Sequence, residues 1–176
     1  MKRLRLFAVL FTVAAAAAAN LAMASPASAD DHTVSIQSQA SLKCLQPVNE
    51  SIEAGAAIVQ VPCNHSNAQT WFFKDLGNSV FRPQNLNSGM CLDAFGGATN
   101  GTPVVQWPCA SISNQSWQAS RSLPNVVSLR SRVAGTSSHC LDVPGGQSTD
   151  GLAVQIYVCN GTAAQSWGVG ITTIQQ

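Results

Sequence analysis

The chain has 176 residues, with nine Lys or Arg against eight Asp or Glu, and only 10% of it is charged. A charge this sparse and balanced, with no basic cluster past the N-terminus, excludes a polyanion-binding surface, so no nucleic acid is expected as a partner. Beyond the first residues no apolar run approaches bilayer length, so no membrane association of the folded part is expected.

Lys2, Arg3 and Arg5 lead into an Ala-rich apolar run over 6–23, and Ala27-Ser28-Ala29 ends it with small residues. A basic head, an apolar middle and an A-x-A-type end mark a secretory signal peptide, residues 1–29. A retained membrane anchor is the competing reading, but no basic residues directly follow the apolar run and no Cys lies at the cut to take a lipid. The part left, 30–176, carries Lys43, Lys74, Arg82, Arg121, Arg130 and Arg132 against eight acidic residues, a net charge of −2. It is the size of one domain, predicted to be secreted and soluble.

In chain order, the predicted elements of that domain are short strands. The runs 34–37, 57–61, 71–73, 104–107, 126–129 and 153–158 are rich in β-branched and aromatic residues. Asn87-Ser88-Gly89, Gly96-Gly97, Asn100-Gly101, Gly145-Gly146 and Asp150-Gly151 punctuate them as turns. Nowhere does apolar spacing of three and four residues persist, so helix content should be very low.

One pattern recurs three times along these strands. Cys44-Leu45, Cys63 and Gln69-Thr70-Trp71 are followed by Cys91-Leu92, Cys109 and Gln115-Ser116-Trp117, then by Cys140-Leu141, Cys159 and Gln165-Ser166-Trp167. The Cys-to-Cys steps are 19, 18 and 19 residues, and each second Cys precedes its Trp by 8. A fixed period of this length marks repeats that bury their cores against one another. The repeats span about 34–79, 80–125 and 126–176, each opening on a lead-in strand (34–44, 80–91, 126–140) and holding about four strands. Six cysteines in an exported chain imply disulfides. Of the 15 pairings possible, threefold repetition selects Cys44–Cys63, Cys91–Cys109 and Cys140–Cys159. No C-x-x-C occurs, so neither a metal site nor a reactive thiol is expected.

Cys-Leu, followed by Asp in the second and third repeats, then a second Cys about 18 residues on and Gln-x-Trp, three times over, resemble the ricin B-type lectins, a family of β-trefoils also found as sugar-binding modules of secreted bacterial glycosidases. The resemblance covers essentially the whole of 30–176. It implies an all-β fold, a six-stranded barrel capped by three hairpins, with a shallow sugar site possible on each repeat.

Trp71, Trp117 and Trp167 occupy one place in every repeat and are read as core aromatics. Trp107 has Val61 and Tyr157 as its counterparts, so it is a candidate platform for a sugar ring. Lectin sites of this family supply an Asp after Cys-Leu, a Gln and an aromatic before the second Cys, and an Asn-Gln pair at the Q-x-W. The resemblance then assigns Asp93, Trp107, Asn114 and Gln115 to the second repeat, where Val105 replaces the Gln. In the third it assigns Asp142, Gln155, Tyr157 and Gln165, with Ala164 replacing the Asn. The first repeat has Gln46, Val59, Val61 and Ala68 in those places and keeps only Gln69, so it is predicted not to bind. The plain alternative is that Asp93 and Asp142 are turn residues and that the Q-x-W Gln side chains only orient their neighbours. Persistence of Gln69 in the depleted repeat favours that role for the Gln set.

No catalytic pattern emerges. His32, His65 and His139 are scattered, no G-x-S-x-G or H-E-x-x-H occurs, and Asp93 and Asp142 belong to different repeats instead of flanking one bond. The sequence therefore predicts a secreted, monomeric, non-enzymatic module, without cofactor or metal, that binds galactose- or xylose-type residues of polysaccharides through its second and third repeats. Two competing readings are a trefoil inhibitor of secreted hydrolases and a structural extracellular protein with vestigial sites.

Overall fold

The computed structural model describes residues 32–171. The leader expected over 1–29 lies outside them. Thirteen strands form among the described residues, and the only helical pieces there are 3-10 turns of three residues each. The first repeat contributes β1 (His32–Ser38), β2 (Cys44–Pro47), β3 (Ile58–Val61) and β4 (Thr70–Asp75). The second contributes β5 (Val80–Asn85), β6 (Cys91–Ala94), β7 (Thr102–Trp107) and β8 (Trp117–Leu123). The third contributes β9 (Val126–Ser131), β10 (His139–Asp142), β11 (Leu152–Ala153), β12 (Gln155–Val158) and β13 (Trp167–Ile171).

Antiparallel pairing runs β1 to β4, β4 to β5, β5 to β8, β8 to β9, β9 to β13, and β13 back to β1. These six strands close on themselves, so no barrel edge is left unpaired. The hairpins β2–β3, β6–β7 and β10–β12 cap the barrel and meet one another through β12–β7, β11–β3 and the Ala57–Val105 bridge. The fold is a β-trefoil.

Alternation along the strands selects the core. Val34, Phe81 and Val127 hold equivalent buried places at the starts of β1, β5 and β9, and Leu45, Leu92 and Leu141 follow the first Cys of each repeat. Trp71, Trp117 and Trp167 are fully buried, and each indole N–H donates to one of those Leu carbonyls, at 3.1, 3.0 and 3.0 Å respectively. Burying a Trp without satisfying its N–H would forfeit much of the gain, which explains the strict spacing from Cys-Leu to Gln-x-Trp. The cysteines pair within repeats as the threefold pattern predicts: Cys44–Cys63, Cys91–Cys109 and Cys140–Cys159.

Two element predictions are corrected. The lead-in runs do not continue to the first Cys but turn at Ser38, Asn85 and Ser131, which are buried. Their side-chain oxygens accept backbone N–H groups two or three residues on: Ala40 and Ser41, Asn87 and Ser88, and Val133. A side chain that satisfies the turn's own backbone competes successfully with further strand pairing. The single run 153–158 is split at Val154, whose N–H donates to Ile58 O at 2.9 Å while its carbonyl accepts from Val104 N at 3.4 Å. There the chain passes from the first repeat's hairpin edge to its own hairpin.

Candidate functional site

The Q-x-W Gln has one arrangement in all three repeats. Its carbonyl accepts the N–H of the residue after the second Cys (Asn64, Ala110 and Asn160), and its amide donates to the carbonyl before it (Pro62, Pro108 and Val158). Gln69, Gln115 and Gln165 are buried. The remaining amide hydrogen is aimed at the position after Cys-Leu: Gln115 donates to Asp93 at 2.9 Å, and Gln69 to Gln46 at 3.0 Å. These side chains hold the carboxylate in place and are not themselves open to solvent.

In the third repeat, register sets Asp142 directly opposite Gln155 and Cys140 opposite Tyr157, so Asp142, Gln155 and Tyr157 project from one face of the β10–β12 hairpin. Gln155 approaches Asp142 at 3.5 Å. Tyr157 stands 37% exposed beside this pair. Together with Gly145, Gly146, Thr162 and Ala164 they line a cleft of about 680 Å³. Its far side is supplied by Gln39 and Ala40 of the first repeat, brought there by the β13–β1 pairing that closes the barrel. Burial pushes the Asp142 carboxyl above the ordinary Asp value, against the opposing hydrogen bonds of Gln155 and Gln165.

The second repeat repeats this geometry with different occupants. Asp93 faces Val105 across β6–β7, and Trp107 faces Cys91. Asp93 is 2% exposed, and its Oδ1 is buried without a hydrogen-bond partner. Burial raises its pKa, opposed by the Gln115 and Asn114 side chains. Asn114 also donates to Ala94 O at 3.2 Å, which fixes its amide beside the carboxylate. Trp107 is 39% exposed, the other three Trp being fully buried. Gly55 of the first repeat, at φ +83°, lies close beneath it: a Cβ there would come within 3.3 Å of Trp107 Cζ3. A side chain at Gly55 would strain both the backbone and the ring's seat.

The first repeat keeps the scaffold without the polar chemistry. Gln46 sits buried where the others have Asp, Val59 and Ala68 are buried, and Val61 replaces the aromatic. Three residues escape the sequence reading. Phe95, 51% exposed, packs on Trp107 with ring centroids 5.3 Å apart; its place two residues after Asp93 is a same-face signal that period-2 alternation supplies. Gln39 and Ala40 carry no local signal, since only barrel closure brings them to the third cleft.

The family model of the ricin-type β-trefoil lectin domain matches residues 32–167. No curated protein matches the chain. Among solved structures, the designed threefold-symmetric protein ThreeFoil aligns with TM-score 0.74 at 26% identity, over 78% of this chain and 96% of that one. An exo-β-1,3-galactanase from Clostridium thermocellum aligns with TM-score 0.75 at 24% identity, over 82% of this chain but only 31% of the enzyme. The ricin B-like lectin of Macrolepiota procera, solved in complex with lactose, aligns with TM-score 0.67 at 20% identity over 80% and 95%. With the match spanning every Q-x-W Trp and the three capping hairpins, the chain belongs to the ricin-type β-trefoil lectin domain family, a carbohydrate-binding fold.

Proposed function

We infer that residues 30–176 form a secreted, monomeric lectin module that binds galactose- or xylose-type residues of polysaccharides through its third and second repeats, with no catalysis of its own. The observation that carries this reading is the open cleft of the third repeat, where a buried carboxylate is flanked by an amide and by an exposed tyrosine face. A pyranose offers an apolar C–H face and a set of hydroxyls, and this pairing of flat ring and acceptor suits both. The lactose complex of the Macrolepiota lectin is consistent with a galactoside as ligand. Export is supported by the leader pattern and by three intra-repeat disulfides, the bonding state of an oxidising compartment. Asp93 and Asp142 each serve a separate hairpin, an arrangement unlike the paired carboxylates of glycoside hydrolysis.

Isothermal titration of lactose and of xylobiose into the exported protein tests the reading. At least one should bind weakly, and Asp142→Ala and Tyr157→Ala should each weaken that binding by about 1 to 3 kcal/mol with the fold intact. Absence of binding by both sugars, or binding indifferent to both substitutions, would refute the third-repeat site.

A further inference from the structure

Phe95 pairs its backbone with Pro103, through a 3.0 Å bond from its N–H, whereas Trp107 stands four residues further along β7. Four strand residues span about 13 Å. Ring centroids only 5.3 Å apart therefore require both rings to lean towards each other across the Asp93–Val105 pair that lies between them. The rings are tilted by 34°, leaving no gap in which a pyranose could lie between them. Beneath them Asp93 is buried, as Asp142 is in the third repeat, and one of its carboxylate oxygens is unpartnered. The equivalent place in the third repeat holds Pro144, which opens the Pro144–Gly146 turn, and that cleft is open.

We propose that Phe95 is a lid on the second-repeat site: its ring occupies the sugar-facing side of Trp107, and a pyranose reaches Asp93 only when that ring swings out to solvent. The inference rests on the lectin reading of this repeat and adds a specificity determinant to it. Binding is paid by an opening step, so the apparent affinity is the intrinsic one multiplied by the fraction open. A ligand that stacks well on Trp107 and also fills the unpartnered acceptor of Asp93 competes with the phenyl ring, and a poorer ligand does not. The two repeats thus differ in selectivity: the third accepts sugars on contact, and the second accepts those able to displace an aromatic ring.

The test uses the full exported protein in an Asp142→Ala, Tyr157→Ala background, which removes both the carboxylate and the ring of the third repeat, with lactose and xylobiose as probes. Phe95 is half exposed, so Phe95→Ala should fold; Phe95→Leu, which keeps an apolar cover, is the companion variant. The expected result is an affinity gain of about 2- to 10-fold at the second repeat for Phe95→Ala, the range an aromatic pair represents, and a smaller gain for Phe95→Leu. Acrylamide quenching supplies a readout without sugar, because Trp107 is exposed while the other three Trp are buried. Quenching should rise in Phe95→Ala and fall again when sugar binds. Unchanged affinity overturns the lid, and a loss of affinity overturns it by making Phe95 a wall that the sugar touches. If the second repeat binds neither sugar in any variant while a third-repeat-only protein (Asp93→Ala) does, the lid falls and the lectin reading stands. If neither repeat binds either sugar, both fall.

Discussion

At the scale of single residues, the four Trp separate by environment. Trp117 is buried with its N–H spent on Leu92, so Trp117→Ala should destabilise the fold by about 3 to 5 kcal/mol. Trp107→Ala removes a partly exposed ring and should leave most of the stability while weakening sugar binding at the second repeat; thermal melts beside titrations distinguish the two outcomes. Asp93 and Asp142 give a second contrast. Burial raises both carboxyl groups above the value they have in the unfolded chain, so the folded state binds protons more readily. Above the raised values this shift subtracts from stability, and the penalty is relieved as pH falls through them towards about 4, the ordinary Asp value. Sugar binding should move the other way, because a protonated carboxyl is a poorer acceptor. In melts across that range, the stability advantage of Asp93→Asn over the parent protein at neutral pH should shrink as the pH is lowered; an advantage that grows with acid would contradict the assignment.

At the scale of elements, the strands were legible because β-branched and aromatic residues crowd them and Gly or Asn ends them. The breaks after β1, β5 and β9 were not, because Ser38 and Ser131 resemble any strand-edge serine until their hydroxyls are seen to accept the turn's amides. The residues proposed for sugar binding on the second and third hairpins were named from the family resemblance, whereas Phe95 needed the strand alternation to be followed past Asp93. Least legible were Gln60 and Gln106, which lie in strands that read as apolar runs. Each is fully buried and ties its hairpin to the loop of another repeat: Gln60 donates to Gln147 O and Thr149 O, and Gln106 to Ser51 O and Glu53 O. Their partners are 87 and 89, and 55 and 53, residues away, so no local pattern could announce them. Gln60→Leu or Gln106→Leu should lower stability by about 1 to 3 kcal/mol, since buried carbonyls lose their donors; denaturant melts would register the loss.

At the scale of the whole molecule, three disulfides close loops of 19, 18 and 19 residues in the hairpins that cap a barrel with no free edge. Each such loop is worth about 3 kcal/mol in the chain-entropy view, so reduction should lower the melting temperature markedly; a reduced protein that melts like the oxidised one would show the bridges to be redundant with the barrel. The two proposed sites lie on separate hairpins and would let one polymer engage two repeats, so Asp142→Ala should reduce retention on an immobilised polysaccharide more than its effect on a small sugar implies. The polar ties are not threefold. Where the first and second repeats have Gln60 and Gln106, the third has Ile156, and the loop it faces is held instead by Thr102 to Gly97 O at 2.8 Å within the second repeat and by Asn100 accepting from Val158 N at 2.7 Å. At its capped end the molecule is therefore a ring laced on two seams and loosely tied on the third. Amide hydrogens of residues 97–101 should exchange with solvent sooner than those of the matching loops 51–55 and 147–151, marking the place where this trefoil first comes apart.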